Sequence, residues 1–332
     1  MDKPHLFDNI VSKKWTHINF YGNKDLERLD ISPYTYQTIQ GIDFYNFTLR
    51  KISECDHIDI KYESVERITQ LEKNQVKVST SHEEFIGTMV FSSIVSHYPT
   101  EDLHFVWQHF KGWVIETDTN QFDIDTATFM DFRIDQEGET RFVYVLPFAE
   151  NRALIEATIF SENKWNSKDY DPIIIDYINS YLNLDNYEVI EEEEGAIPMT
   201  TSRFNDNKSD SIIPIGTLSD SVKPSSGYAF IRIQEEADQI IEQLTHKKAV
   251  DTYRKSRFIL YDRTLLDVII RNKRSAKHIF SLMFQRNTSQ QIFAFLNEKT
   301  SLFQEINIFR TLPIWPFLTS FFNSNVLNKT KS

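Results

Sequence analysis

Hydrophobic and polar positions along the chain change period several times, and each change marks an element. In residues 41–52, GIDFYNFTLRKI, apolar side chains fall three and four apart, which predicts a helix. Residues 58–80, IDIKYESVERITQLEKNQVKVST, alternate as strands of a meander do, and 83–96, EEFIGTMVFSSIVS, read as two short strands. WQHFKGWVIET at 107–117 opens a set of strands with bulky side chains. RFVYVLPF at 141–148 and ALIEATIFS at 153–161, joined by a turn containing Glu150 and Asn151, predict a hairpin. A helix is expected in DYDPIIIDYINSYL after Pro172, and a return to strand in YEVIEEEEGAIPMT, where the acidic run Glu191–Glu194 reads as a solvated loop. SIIPIG is a buried strand by its β-branched content, and SSGYAFIRIQEEADQIIEQL opens a long amphipathic helix. From Ala249 onward the period is helical, most clearly in RFILYDRTLLDVII and SQQIFAFLNEK.

Polar residues set among apolar ones mark where chemistry could sit. Alternation through RALIEATIF puts Leu154, Glu156, Thr158 and Phe160 on one face of a strand and Ile155, Ala157 and Ile159 on the other. Desolvation raises a carboxyl pKa, so Glu156 could stay protonated near neutral pH and deliver a proton. The pattern equally allows an edge-strand glutamate facing water. In FMDFRID, Asp131 and Arg133 lie two apart on one face of an extended segment, either a surface ion pair or a pair turned toward a cavity. The stretch GTLSDSVKPSSGY has the ingredients of a ligand turn. Gly216 and Thr217 follow a buried strand, Pro224 stands near a helix start, Ser225 or Ser226 is placed as N-cap, and Gly227 permits close backbone approach. An ordinary capped helix would look the same.

Composition narrows these options. The 332 residues suffice for two packed domains, and 25% charged with 40% hydrophobic residues is the balance of a folded protein. Twenty-six Phe, 14 Tyr and 5 Trp suit a large apolar cavity, or simply a Phe-rich core, while 8 Gly are few for a nucleotide-binding chain. A net charge of -12 argues against a nucleic-acid partner. Cys55 is the only cysteine, so no intrachain disulfide or thiolate metal cluster forms, and a reducing cytoplasm fits. Neither a signal peptide nor an apolar stretch of ~18 residues is present. The aromatic segment INIFRTLPIWPFLTSFFNSNVL, broken by Pro313 and Pro316, suits peripheral contact with a membrane surface, an oily lid or core packing. No GxGxxG, P-loop, GxSxG or HExxH occurs, and His104 with His109 makes no metal site by spacing.

Taken in order, the segments GIDFY (41–45), QHFKGWVIET (108–117), MDFR (130–133), LPF (146–148), LIEAT (154–158), GAIPMT (195–200), IGT (215–217), PSSGYAF (224–230) and FLNEKTS (295–301) resemble the lycopene cyclase family, in particular its bacterial β-cyclase branch. The resemblance runs from about residue 6 to about 320. It implies acid-catalysed, non-redox closure of the linear ends of lycopene into β-rings, an isomerase or intramolecular-lyase reaction of carotenoid biosynthesis. A non-covalent FAD kept reduced by NAD(P)H would support the cationic step. The family's essential glutamate falls on Glu156, with Ala157 in place of a second acid. Its MDWR-like block falls on Asp131 and Arg133 with Phe132 for Trp; Asp131 or the flavin would then be the base. Gly216, Thr217, Pro224, Ser225, Ser226 and Gly227 would bind the cofactor.

The implied architecture is a mixed α/β, FAD-dependent hydroxylase-like two-domain flavoprotein fold. Residues 1–100 would be the remainder of the FAD-binding domain, 101–200 an antiparallel substrate-binding sheet, 201–248 the return to the FAD-binding domain, and 249–332 a C-terminal helical region. Family members open with a strand, a GxGxxG turn and a helix, whereas here the first block lies downstream of these, so the expected nucleotide-binding domain is incomplete. Leu218, Ser219 and Asp220 also replace a small glycine-rich run, adding a carboxylate where an anionic cofactor is expected. The alternative expectation is therefore a truncated, catalytically impaired cyclase that binds FAD poorly. A flavin hydroxylase or halogenase of the same architecture fits the ordered segments less well.

Overall fold

The computed structural model describes residues 4–23, 26–101, 104–202, 204, 209, 211–219, 221–250, 256–271, 276–313, 315, 317, 319 and 320. The chain divides into two compact units, one of residues 1–54, 106–197 and 267–332, the other of residues 55–105 and 198–266. The chain visits each unit more than once.

In the first unit, β1 (Lys13–Trp15) pairs with β4 (Tyr36–Thr38), while β2 (His17–Tyr21) and β3 (Glu27–Asp30) join a larger sheet; α1 (Gly41–Ser53) follows at the position its spacing predicts. The second unit receives β5 (Val65–Glu72) and β6 (Gln75–Thr80), within the stretch expected as a meander, and β7 (Glu84–Gly87) and β8 (Val90–Ser92), the two short strands expected after it; β7 joins β5 and β6 in one sheet. The large sheet takes up β9 (Phe105–Glu116), β10 (Thr126–Asp131), β11 (Thr140–Ala149), β12 (Arg152–Ser161) and, after α2 (Asp171–Ser180), β13 (Glu188–Thr200). Later come β14 (Ile212–Pro214), parallel to β8, and helices α3 (Phe230–Thr245), α4 (Ser256–Arg271), α5 (Ala276–Arg286), α6 (Ser289–Leu296) and α7 (Leu302–Phe309).

The seven-stranded sheet has the order β13-β9-β12-β11-β10-β2-β3. Strands β9, β12, β11 and β10 pair antiparallel in turn, and β10 meets β2 in parallel. The acidic run Glu191–Glu194 is not a loop but part of β13. Repeated glutamates have weak strand propensity, yet ladder pairing with β9 overrides it.

Each face of the sheet has its own cover. On one face, Ile155, Ala157 and Ile159 of β12 and Val143 and Val145 of β11 pack against Ile174, Tyr177 and Ile178, the inward stripe of α2. Pro172 starts that helix, where its missing N–H costs nothing. On the other face the cover is aromatic. Phe132 stacks on Phe280 of α5 at 5.8 Å and Phe20 on Phe284 at 4.3 Å, while Phe142 meets Phe132, Tyr144 and Phe160 edge-on or tilted. The abundant phenylalanine thus forms a core between sheet and C-terminal helices.

Ile155 is fully buried on the α2 face, so Ile155→Ala should lower unfolding free energy by about 2–5 kcal/mol, read from urea denaturation. An unchanged midpoint would mean that this face is not packed as described.

Candidate active site

Glu156 sits in an interior strand, with β11 on one side and β9 on the other, which removes the edge-strand alternative. Within β12 every residue from Ala153 to Ser161 is buried except Glu156, which is half-buried. Its register partner on β11 is Tyr144, and on β9 it is Gly112. On its own strand, the buried Thr158 donates a hydrogen bond of 2.8 Å from Oγ1 to Glu156 Oε1.

Gly112 has no side chain, and another carboxyl uses the space. A Cβ built on Gly112 would stand 3.2 Å from Cγ and 3.3 Å from Oε1 of Glu193, and only 2.7 Å from Cδ1 of Leu154. Glu193, on β13, therefore folds over Gly112 and shares a hydrogen bond with Glu156. Burial is the largest influence on Glu156 and pushes its pKa up to about 8; the neighbouring Glu193 charge adds to this, and Thr158 opposes it. Burial also raises Glu193, which keeps an exposed flank, while its hydrogen bond with Glu156 pulls the other way. The direction follows from the chemistry of two carboxyls in contact, which resist ionising together. Glu193, Gly112 and Tyr144 were not singled out in the sequence. The available signals were a glycine inside a strand in a glycine-poor chain, and the two-residue spacing of Glu193, Gly195 and Ile197.

Asp131 and Arg133 form a tight bracket, but elsewhere. A register shift in β10, with Met130 at φ 67°, turns Asp131 toward α2, on the face of Val143 and away from Glu156. Asp131 is fully buried; it accepts bonds from Arg133 Nε (3.0 Å), Arg133 Nη2 (2.5 Å), the Arg133 backbone N–H (3.0 Å) and Tyr177 Oη (2.7 Å). The Arg133 guanidinium lies 3.8 Å from the Tyr21 ring centroid and 4.8 Å from that of Tyr181. Burial beside the Asp131 charge holds the Tyr177 hydroxyl well above its ordinary pKa, so it stays a donor. The structure brings Asp131 and Arg133 to each other and to α2, and does not bring them to Glu156.

The turn residues lie in the second unit. Gly216 (φ 64°) and Gly227 (φ 71°) adopt the left-handed backbone that glycine tolerates. Gly216 and Thr217 open a short 3-10 turn closed by Ser219 Oγ on Gly216 O at 2.9 Å. The N-cap expectation is corrected, because α3 begins at Phe230 with Ala229 as N-cap, so neither Ser225 nor Ser226 caps it and Pro224 is not in its first turn. Ser225 instead donates to the buried Asp262, which also pairs with Lys223 at 3.1 Å. The Ser226 hydroxyl is buried without a hydrogen-bond partner. Asp220 lies outside the described residues. Nearby, a cleft of about 810 Å³ is lined by Arg67, Ser92, Ile94, Ser211, Ile212 and Leu218 among others.

His109 is a core residue, bonded to Tyr170 Oη and to Ser161 Oγ at 2.7 Å, and burial lowers its pKa to about 4. Among the described residues no group of three potential metal ligands is found.

Comparison with known proteins bears on the family and the fold. The family described as "Lycopene cyclase protein" matches residues 2–321. A chloroplastic neoxanthin synthase of Solanum tuberosum is 24% identical over 262 residues, covering 71% of this chain and 50% of that protein; the chain thus spans about half the length of the curated relative it matches. A geranylgeranyl bacteriochlorophyll reductase-like protein of Thermoplasma acidophilum superposes with TM-score 0.54 at 12% identity, over 97% of this chain and 82% of that one. The flavin-dependent brominase Bmp2 does so with TM-score 0.50 at 12% identity, over 98% and 85%. The fold is thereby the mixed α/β fold of FAD-dependent monooxygenase-, halogenase- and reductase-type flavoproteins.

A carboxyl whose pKa is higher folded than unfolded binds more protons in the folded state, so it costs stability as pH rises from its ordinary 4.5 to about 8. Glu156→Gln removes that cost. The variant should melt higher than the parent at pH 8 and lose the advantage toward pH 4.5; equal differences at both pH values would refute the shifted carboxyl.

Proposed function

The chain belongs to the lycopene cyclase family, and from that premise we propose that it acts as a lycopene β-cyclase, closing the linear ends of an apolar polyene into β-rings without net redox change. The observation that carries this reading is Glu156, a half-buried carboxyl with raised pKa in an interior strand beside Tyr144 and the aromatic face. Its O–H bond breaks as a C–H bond forms at the terminal double bond. The next double bond attacks the tertiary cation, closing the ring, and a ring proton leaves to a base. Tyr144 offers a π face to positive charge, and the aromatic cover limits water that would trap the cation. Asp131 and Arg133 act structurally in this scheme, fixing β10 to α2.

FAD is the cofactor the family implies, with NAD(P)H as the reductant. The unpartnered Ser226 hydroxyl and the α3 N-terminus, which has no side-chain cap, fit a polar ligand, so Gly216, Thr217, Ser226 and Gly227 would hold the flavin, with Pro224 and Ser225 shaping the turn. When bound, a reduced flavin supplies electron density that stabilises a carbocation. The roles assigned by sequence to 1–100, 101–200, 201–248 and 249–332 are retained as part of this proposal, with the large sheet as the polyene-binding part. No helix among the described residues is long and apolar enough to cross a membrane. A lipid-dissolved substrate would be met by peripheral contact, and Phe303 and Trp315, 72% and 78% exposed, suit that role.

Expression in a lycopene-accumulating host should give a cyclised carotenoid, and the purified protein a flavin absorption band. Glu156→Gln should reduce product formation by about 10²-fold or more while preserving the flavin band. Cyclisation at parental rate in that variant would overturn the assignment of Glu156.

A further inference from the structure

We infer that Glu193 is a positioning residue of the same site, a carboxylate that lies across Gly112, accepts the hydrogen bond of protonated Glu156 and keeps a standing negative charge beside the proton donor. This inference rests on the cyclase reading for its chemistry, but its geometry does not. Glu156 and Glu193 are on strands separated by β9, and opposite Glu156 on β9 stands Gly112. The Glu193 carboxyl occupies the space that any larger residue at 112 would need, within 3.3 Å of the Cβ such a residue would carry. Two acids on non-adjacent strands meet only because the strand between them has no side chain at that point.

The groups facing the pair leave little else to settle its charge. From β12 comes the Thr158 hydroxyl, from β11 Tyr144, and from β13 Glu191, which adds negative potential at Glu193. Lys111 of β9 points to the opposite face, where it is held by Asp171 at 2.7 Å and Glu192 at 3.0 Å. Full ionisation would place two carboxylates in contact, so the pair retains one proton near neutral pH. Proton transfer from Glu156 to the polyene breaks one O–H bond, makes one C–H bond and leaves two carboxylates facing a cation, an arrangement that stabilises the charge developing in the transition state. Loss of the ring proton to the pair reforms the O–H bond, and protons balance over the cycle. Glu193 thus serves the reaction by keeping Glu156 loaded and by countering the cation.

The test is Glu193→Gln in the flavin-loaded full chain, with Glu193→Asp beside it. Removing the Glu193 charge should move the alkaline limb of the pH profile for cyclisation down by about one pH unit and lower kcat about tenfold, with the flavin band unchanged and the unfolding midpoint at neutral pH not lowered. Glu193→Asp should recover part of both. Independently of turnover, the infrared carbonyl band of a protonated carboxyl, assigned by its loss in Glu156→Gln, should titrate at lower pH in Glu193→Gln than in the parent. A pH limb and a band that both stay in place would overturn the inference. A displaced band in a protein that shows no cyclisation at all would instead retire the cyclase reading and leave the proton-sharing pair standing.

Discussion

A carboxyl keeps its proton at neutral pH only where water and cations are held away from it, and the large sheet is arranged around that constraint. β12 is the strand on which it acts. With β11 and β9 on either side and cover on both faces, Glu156 is the one interior position of β12 that is not closed over. Had the same residue stood on an edge strand, solvent would have returned its pKa to the ordinary range. Had a basic residue occupied position 112, the acid would have been held ionised. Topology and a missing side chain together hold the pKa of Glu156 up.

The two faces of the sheet are also divided electrically. On the α2 face, buried charges meet their counter-charges: Lys111 with Asp171 and Glu192, Asp131 with Arg133, Arg141 with Glu137 and Glu139. Those pairs satisfy groups that are costly to bury alone, and breaking one by removing a partner is far more damaging than never having built it. On the other face stand Glu156, Glu193 and a field of aromatic rings. Charge is neutralised where the sheet must hold together and left unbalanced on the face that carries Glu156. The bulge at Met130 achieves the separation for Asp131, because one extra residue in β10 turns its carboxylate to the paired face while Phe129 and Phe132 both stay on the aromatic one.

Much of this was legible in the sequence. The hairpin of β11 and β12, the strands β5 to β8, and helices α1, α2, α3, α4 and α6 follow from apolar periodicity, which records which side of an element is buried. The face carrying Glu156 followed from alternation alone. What periodicity does not record is which strands become neighbours. β13 pairs with β9 although most of the chain between them belongs to other elements, and without that pairing Glu193 looked like one more solvated acid. The start of α3 departs from the composition for a related reason. Ser225 and Ser226 have the composition of an N-cap, but the Lys223–Asp262 pair draws Ser225 away, and the chain turns through Gly227 before the helix begins.

Glycine, the scarcest signal in the composition, proves the most specific once the strands are paired. Two of only 8 glycines stand on the Glu156 face of the sheet, one on β9 and one on β13. Gly112 admits the Glu193 carboxyl. Gly195, two residues along from Glu193, admits the Phe110 ring, whose Cζ would stand 2.6 Å from a Cβ there. Phe110 is in turn the register partner of Thr158, the residue that hydrogen-bonds Glu156. Strand interiors ordinarily lose stability at glycine. Two such positions next to an acid pair without a counter-charge indicate that close approach to Glu156, by a carboxylate on one side and an aromatic ring on the other, is what those positions maintain.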